Sequence, residues 1–347
     1  MKQLLLGILL VVGLLGATHL FTSKPPASLK TIMEQPDDFG EAERQPHALS
    51  IEALRLGDYP GSEIAIEQEL SPGTNYQRYL TSYKSEGLKI YGLLTVPNGK
   101  IPAGGWPAII FNHGFIPPTE YRTTEKYLAY TDGFSRNGYV LFRPDYRGHG
   151  NSEGQPTGAY GSSSYTIDVL NAVSSIKKYP AVDPNRIGMW GHSMGGHITL
   201  KNMVVSKDIK AGVIWAGVVA SYPELLNNWR RRSPFPTLPG NTNPTNSRNW
   251  RNTLIAEYGE PDQNPDFWNS ISANAFLSEI SGPLQLHHGT ADTSVPLAFS
   301  EKLESQMKEA GKIVELYTYS GDDHNLSANL GIALNHSVEF FNKHLKN

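Results

Sequence analysis

The residues with the clearest chemical potential centre on a serine placed between glycines. Residues 191–195 read GHSMG, so one glycine lies two positions before Ser193 and another lies two positions after it. This spacing is typical of a nucleophile elbow, a strained strand-to-helix turn in which small residues let the serine hydroxyl project clear of a sheet. Because two glycines and a serine at this spacing also occur by chance, the surrounding sequence is needed to decide whether the motif is a nucleophile elbow.

The context of the motif meets the strand-turn-helix requirement. A turn at residues 183–185 (DPN) introduces an apolar strand predicted over residues 186–190, and residues 196–200 (GHITL) can continue as a helix packed against a sheet. The sequence therefore predicts that Ser193 is a catalytic nucleophile.

A serine nucleophile needs a base within hydrogen-bond reach and a third group that orients the base. The chain supplies both in the order serine, acid, histidine. Asp292 lies in HGTADTSVP at residues 288–296, and His324 lies in DDHN at residues 322–325, each directly after a predicted strand. The predicted triad is Ser193, Asp292 and His324.

Other residues compete for the roles of acid and base. Asp262 and Asp266 fall in a long insertion, whereas Asp292 directly follows a predicted strand. His336 and His344 fall in a terminal amphipathic segment that reads as a surface helix. These positions favour Asp292 and His324.

The elements that must position the triad are those of an α/β fold. Short apolar strands alternate with segments of helical period, as expected of a parallel sheet that is covered on both faces. The predicted strands of this region are 108–112, 139–143, 186–190, 211–216, 284–287 and 313–319. The predicted helices are 123–136, 163–179, 194–206, 296–310 and 327–345.

Three further parts of the chain depart from this alternation. Residues 64–66, 76–83 and 88–96 read as a meander of antiparallel strands before the parallel region. Residues 24–62 contain scattered prolines and little periodicity, which predicts a linker to a domain over 63–347. The long interval at about 219–281 predicts an inserted cap over the active site.

The motifs at residues 191–196 (GHSMGG), 288–296 and 322–325 together resemble the catalytic domain of the prolyl oligopeptidase family and its esterase relatives, over roughly residues 75–345. The resemblance implies an α/β-hydrolase fold, with a mostly parallel eight-stranded sheet, helices on both faces and an inserted cap. It also implies a serine hydrolase that needs no cofactor.

The resemblance extends to two further loops. The turn at residues 111–115 (FNHGF) corresponds to one that supplies a backbone oxyanion donor, here the N–H of Phe115. The second donor would be the N–H of Met194, at the start of a helix whose dipole favours an anion. The loop at residues 145–152 (DYRGHGNS) reads as scaffold, with Tyr146 as a candidate substrate contact.

The substrate class is open between esters and short peptides. Fewer than about 80 residues precede the region of resemblance and no blade-like repeat is present, so we expect no gating propeller, which favours a carboxylic-ester hydrolase. The alternative is a peptidase that holds the substrate's amino terminus with acidic residues, for which Glu224 and Glu257 are the weak candidates. A membrane-tethered binding module without catalysis is a remote third alternative.

Composition argues against several other kinds of partner and chemistry. The formal net charge is −3 with no long basic run, which argues against a nucleic-acid partner. The chain has no cysteine, which excludes disulfides and a thiol nucleophile. Strand ends and the elbow, rather than a metal site, explain the positions of His113, His192, His197, His287 and His288.

Aromatic and basic residues of the predicted cap allow two interpretations each. The aromatic residues of the cap either line an acyl pocket or form the cap's own core. They are Trp229, Trp250, Phe267 and Trp268, and the first two are the candidate substrate contacts. The arginines at 230–232 either recognise an anion or are solvated.

The amino-terminal segment predicts export or membrane attachment. Lys2 is followed by an uncharged apolar stretch from Leu4 to about Leu20. Its length lies between that of a signal peptide and that of a membrane span of about 20 residues. Residues 1–23 are therefore predicted to be a cleaved signal or an uncleaved anchor, a buried helix being the third alternative, with the catalytic domain outside the cytoplasm.

Overall fold

One twisted sheet organises the protein, which is represented by a computed structural model that describes residues 46–229 and 249–346. The nine strands lie in the order β1-β2-β3-β5-β4-β6-β7-β8-β9. Their bounds are β1 Ala65–Leu70, β2 Tyr76–Ser85, β3 Leu88–Pro97, β4 Trp106–Asn112, β5 Val140–Pro144, β6 Val182–His192, β7 Ile209–Trp215, β8 Leu284–Gly289 and β9 Val314–Tyr319. Strands β1 to β3 pair antiparallel, β3 pairs antiparallel with β5, and all later pairs are parallel.

The mostly parallel α/β-hydrolase sheet is confirmed, but the expected strand number of eight is wrong. The meander contributes three strands to the sheet, and β1 extends it by one at the antiparallel edge, where most of its residues are exposed. All six strands predicted for the parallel region occur, with ends shifted by a few residues.

Nine α-helices and one 3₁₀-helix are found in the described part of the chain. They are α1 Ile51–Leu56, α2 Leu128–Ser135, α3 Ser164–Ile176, α4 Met194–Val205, α5 Tyr222–Asn228, α6 Trp250–Tyr258, α7 Pro265–Ser270, the 3₁₀-helix Ala273–Glu279, α8 Leu297–Glu309 and α9 Leu330–Leu345. Each of the five helices predicted for the parallel region is present, and α2 is the most shortened, since it begins at Leu128 rather than at 123.

The central strands separate two hydrophobic cores because successive side chains of a strand point to opposite faces. In β4, Ile110 packs in the core that also contains residues of α3, α4 and α8, whereas Ile109 and Phe111 pack in the core formed with α2 and α9. Burial on both faces explains why these strands are wholly apolar in sequence. Because strands β4 to β9 pair in parallel, their carboxyl ends lie at one edge of the sheet.

The expected linker at 24–62 is wrong for its described part. Residues 51–56 form α1, whose Ile51 and Leu54 are buried, and the Arg55 guanidinium donates two hydrogen bonds, of 2.7 and 3.1 Å, to the carbonyl of Val204 at the end of α4. Ser50 caps the helix by accepting from the N–H of Ala53 at 3.0 Å. The six-residue helix was hidden because it is too short to show a helical period.

The insertion expected at about 219–281 lies between β7 and β8 and carries α5, α6, α7 and the 3₁₀-helix. The arginines at 230–232 and the amino-terminal segment 1–23 lie outside the described residues. Across residues 46–229 and 249–346, no helix has both the length and the apolar character needed to cross a membrane.

Candidate active site

Ser193 occupies a strained turn between β6 and α4. Its backbone has φ 54° and ψ −118°, a region that costs a non-glycine residue about 1–3 kcal/mol. The surrounding backbone holds it there, since its N–H donates to the Trp215 carbonyl at 3.0 Å and its carbonyl accepts from the N–H of Val218 at 3.0 Å. The geometry is that of a nucleophile elbow, with Met194 as the first residue of α4.

Glycine at 195 is required by the close approach of the neighbouring strand. A Cβ at this position would lie 2.0 Å from the carbonyl oxygen of Asn112, at the end of β4. That oxygen belongs to the backbone, so a larger residue could not be accommodated by a side-chain rotation. The glycine thus lets α4 begin directly against the predicted oxyanion loop.

His324 and Asp292 form the hydrogen bond that a catalytic base requires. The Nδ1 atom of His324 lies 2.7 Å from Asp292 Oδ2. Because an ionised carboxylate only accepts, the proton lies on Nδ1, and Nε2 is left as the basic atom. The Asp292 side chain is 0% exposed and that of His324 is 19% exposed, so the base is reachable while the acid is sealed.

Asp292 is held ionised by a full set of donors. Its Oδ1 accepts from the N–H groups of Ser294 at 2.7 Å and Val295 at 3.0 Å. Its Oδ2 accepts from His324 and also from Nε2 of His288, at 3.1 Å. Burial alone would raise the pKa of Asp292, but the hydrogen bonds from His288 and His324 outweigh it and hold the pKa well below its usual range.

The loop that carries His324 is fixed by two carboxylates. Asp322 accepts from the N–H groups of Ala328 and Asn329, at 3.1 and 3.0 Å, and Asp323 accepts from the N–H of Asn325 at 2.9 Å. Burial opposes ionisation of both, but these hydrogen bonds lower the pKa of each carboxyl group. The base is consequently presented by a preorganised turn.

The loop that carries one predicted oxyanion donor lies against the elbow that carries the other. Gly114 comes so near that a Cβ on it would lie 3.2 Å from Cβ of Ser193. Nδ1 of His113 donates to the Gly114 carbonyl at 2.7 Å, and this fixes the peptide that ends in the N–H of Phe115. Since the N–H and C=O of a trans peptide point in opposite directions, the bond from His113 also sets the direction of the Phe115 N–H.

The expected substrate contact by Tyr146 is not supported by its position. The residue is 0% exposed, its hydroxyl donates to the His113 carbonyl at 2.9 Å, and its ring stacks on Tyr165 with centroids 4.7 Å apart. A side chain sealed in this way cannot touch a substrate. It supports the oxyanion loop from beneath, which is the scaffold role expected for the rest of its loop.

Trp229 and Trp250 lie where the insertion meets the sheet domain. Both rings contact Tyr160, and both residues are buried. Nε1 of Trp229 donates to the Ser294 carbonyl at 2.9 Å, which links the insertion to the loop of Asp292. The described contacts are packing contacts, and a substrate contact by either tryptophan stays a prediction.

The competing candidates are kept apart from the triad. Asp262 and Asp266 are exposed on the insertion. His336 and His344 lie on α9, but they are half-buried rather than surface residues, because their rings pack against Tyr317 and Phe340. Among the residues described, no group of three or more potential ligands is arranged to hold a metal ion.

Two features of the site were not predicted. His288 was considered structural, yet its Nε2 contacts Asp292, the predicted acid, and its position four residues before Asp292 was the available signal. Tyr127, whose hydroxyl contacts both His192 and the N–H of Gly114, had no signal in the sequence because it lies 65 residues before its histidine partner.

The fold and this constellation define a serine hydrolase with an α/β-hydrolase fold. Residues 125–347, more than half of the chain, match the sequence profile of the prolyl oligopeptidase family. The chain therefore belongs to the prolyl oligopeptidase family.

Individual relatives include both peptidases and esterases. The chain is 24% identical to the uncharacterized peptidase YtmA of Bacillus subtilis (strain 168), over 73% of this chain and 88% of that protein. It is similar in fold to the acylaminoacyl peptidase of Pyrococcus horikoshii, with a TM-score of 0.62 and 21% identity, over 79% of this chain but 43% of that one. The acetyl xylan esterase from Paenibacillus sp. R4 gives a TM-score of 0.63 and 16% identity, over 85% of this chain and 92% of the esterase.

Proposed function

We propose that this protein hydrolyses carboxylic esters through an acyl-enzyme intermediate. Ser193 Oγ attacks the carbonyl carbon while Nε2 of His324 takes its proton, and the resulting imidazolium is stabilised by Asp292. The N–H groups of Phe115 and Met194 bind the oxyanion. His324 then protonates the leaving alcohol, and a water molecule activated by the same nitrogen releases the acid.

The observation that carries the choice of esters concerns the acidic residues of the insertion. A peptidase that recognises a free amino terminus needs an unpaired carboxylate near the substrate. Glu224 is already paired with Lys302 at 2.9 Å, and Glu257 is exposed and bonded to the hydroxyl of Tyr258. Each carboxylate therefore already has a partner within the protein, whereas ester binding needs no such group.

A substrate panel tests the proposal. The purified chain should hydrolyse p-nitrophenyl acetate and butyrate with kcat/KM above about 10⁴ M⁻¹ s⁻¹, whereas alanyl and acetyl-alanyl p-nitroanilides should both be poor substrates. Glu224→Gln should leave ester hydrolysis unchanged, since that carboxylate binds Lys302. Efficient hydrolysis of the alanyl anilide that is lost in Glu224→Gln would refute the ester assignment and establish an aminopeptidase.

Short peptides form the second candidate substrate class, because the relative YtmA is named as a peptidase and shares the greater part of both chains. The triad chemistry is the same for amides, so the anilides of the panel decide between the two. A binding module without catalysis is disfavoured by the hydrogen bonds that hold Asp292 in place and orient His324, which an inactive protein would not need.

We propose further that residues 1–23 carry the enzyme out of the cytoplasm as a signal or an anchor. The support is the uncharged apolar stretch from Leu4 to about Leu20 after Lys2. Expression of the tagged chain in a bacterium, followed by cell fractionation and amino-terminal sequencing, should find it in the membrane or in the exported fraction. Full-length protein confined to the soluble cytoplasm would contradict the proposal.

A further inference from the structure

A chain of hydrogen bonds joins the oxyanion loop to the loop of the base through the residue that precedes the nucleophile. The N–H of Gly114 donates to Tyr127 Oη at 2.9 Å. Tyr127 Oη lies 2.8 Å from Nδ1 of His192, and Nε2 of His192 lies 2.9 Å from the carbonyl oxygen of His324. The two loops that act on the substrate from opposite sides of Ser193 are thereby connected.

Every proton in this chain can be assigned from the chemistry of its ends. The carbonyl of His324 only accepts, so the proton of His192 lies on Nε2 and its Nδ1 is an acceptor. The hydroxyl of Tyr127 therefore donates to Nδ1, while its oxygen accepts from the amide of Gly114. All the bonds run in one direction, from the oxyanion loop to the loop of the base.

The surroundings keep His192 in the neutral form that this arrangement needs. Its side chain is buried, and its ring lies 4.7 Å from that of His324, centroid to centroid. Burial, together with the charge that His324 can carry, lowers the pKa of His192 to about 3. The hydrogen bond to the His324 carbonyl and the charge of Asp292 favour a positive charge on His192, and His288 opposes one.

Tyr127 is itself held firmly in position. Lys126 and Tyr127 both have positive φ, 53° and 51°, and the Arg143 guanidinium binds the carbonyls of this segment, including that of Lys126 at 2.8 Å. The tyrosine ring packs edge-on against Phe111, with centroids 5.4 Å apart. The surroundings thus impose a strained backbone that places one hydroxyl between Gly114 and His192.

We infer that Tyr127 and His192 are positioning residues, which set the oxyanion loop and the base at a fixed separation across Ser193. Neither touches the reacting atoms. Their effect is on the alignment of the Phe115 N–H and of His324 with the carbonyl under attack, and catalysis is sensitive to such alignment. The inference rests on the proposed triad mechanism.

The test removes the link between the two residues from either end. Tyr127→Phe deletes the hydroxyl and keeps the ring, and His192→Gln keeps a donor near the His324 carbonyl but deletes the acceptor at the Nδ1 position. Each variant should lower kcat for p-nitrophenyl acetate by about 10- to 100-fold and leave KM within about twofold. Because both changes break the same bond, the double variant should lose little more than one single variant.

A matched control separates positioning from packing. Tyr139→Phe also removes a buried hydroxyl, one that donates to Asn342 Oδ1 at 2.8 Å, but it lies beside α9 and outside the site. It should keep the kcat of the wild type. An unchanged kcat in both Tyr127→Phe and His192→Gln, equal losses in Tyr127→Phe and Tyr139→Phe, or additive losses in the double variant would each overturn the inference.

Ser193→Ala, assayed in parallel, keeps the two hypotheses distinguishable. If Ser193→Ala is inactive and Tyr127→Phe behaves as the wild type, the triad stands and only the positioning role fails. If Ser193→Ala retains the activity, the proposed mechanism fails, and the inference fails with it.

Discussion

Replacing Ser193 by alanine is expected to lower kcat for ester substrates by at least about 10⁴-fold, because it removes the atom that forms the acyl-enzyme. The turn itself should survive, since its backbone is held by the carbonyl of Trp215 and the N–H of Val218 rather than by the serine hydroxyl. Steady-state kinetics with p-nitrophenyl butyrate, together with thermal unfolding, measures both effects.

Ser175→Ala is the matched control for this variant. The Ser175 hydroxyl is buried in α3 and donates to the Asn171 carbonyl at 2.7 Å, far from the elbow in the fold. Its loss is expected to reduce stability by about 1 kcal/mol and to leave kcat unchanged. Wild-type turnover by Ser193→Ala, or a comparable loss in both variants, would contradict the assignment of the nucleophile.

Replacing Asp292 by asparagine is expected to lower kcat by about 10⁴-fold without a change of side-chain size. Because the N–H groups of Ser294 and Val295 donate to the Oδ1 position, the amide oxygen of the asparagine takes that position. Its amide nitrogen then occupies the position of Oδ2. There it would point its hydrogens at Nδ1 of His324, forcing the histidine proton onto Nε2. The base would then have no free atom to accept the serine proton.

Asp183→Asn provides the control, because Asp183 is paired with Arg186 at 2.7 Å beside the other end of β6. It should retain the wild-type kcat. Rate constants within about tenfold of the wild type in Asp292→Asn would contradict the proposed role of the acid.

The difference in stability between the wild type and Asp292→Asn is expected to depend on pH. The folded pKa of Asp292 is depressed, so its ionisation stabilises the fold above the unfolded value of about 3.9, and this contribution is lost as the pH falls towards the folded pKa. The excess stability of the wild type over Asp292→Asn should therefore shrink as the pH falls below about 4, as measured by urea unfolding.

Much of the fold followed from sequence because the central strands are buried on both faces. Strands β4 to β8 appear in sequence as short, mostly apolar runs, and the polar residues after β6, β8 and β9 mark the edge where Ser193, Asp292 and His324 lie. The chain order of the triad and the two glycines of the elbow then limited the candidates. These signals are local, so no knowledge of tertiary contacts was required.

The features that escaped prediction depend on contacts between distant parts of the chain. Helix α1 is fixed by the bond from Arg55 to Val204, 149 residues away. The start of α2 is delayed because Arg143 binds the carbonyl groups of the preceding segment, including that of Glu125 at 2.9 Å. Tyr146 looked available for a substrate because it lies in a loop near the elbow, but its ring is buried against Tyr165.

The most direct test of the central claim is to locate the covalent adduct formed with a fluorophosphonate, a reagent that modifies activated serines. The wild-type chain is incubated with the reagent, digested and analysed by mass spectrometry, with Ser193→Ala and Asp292→Asn as controls. We expect one phosphonyl group on the peptide that contains Ser193, slow labelling in Asp292→Asn and none in Ser193→Ala. Labelling at another serine, or at the same rate in all three proteins, would contradict the central claim.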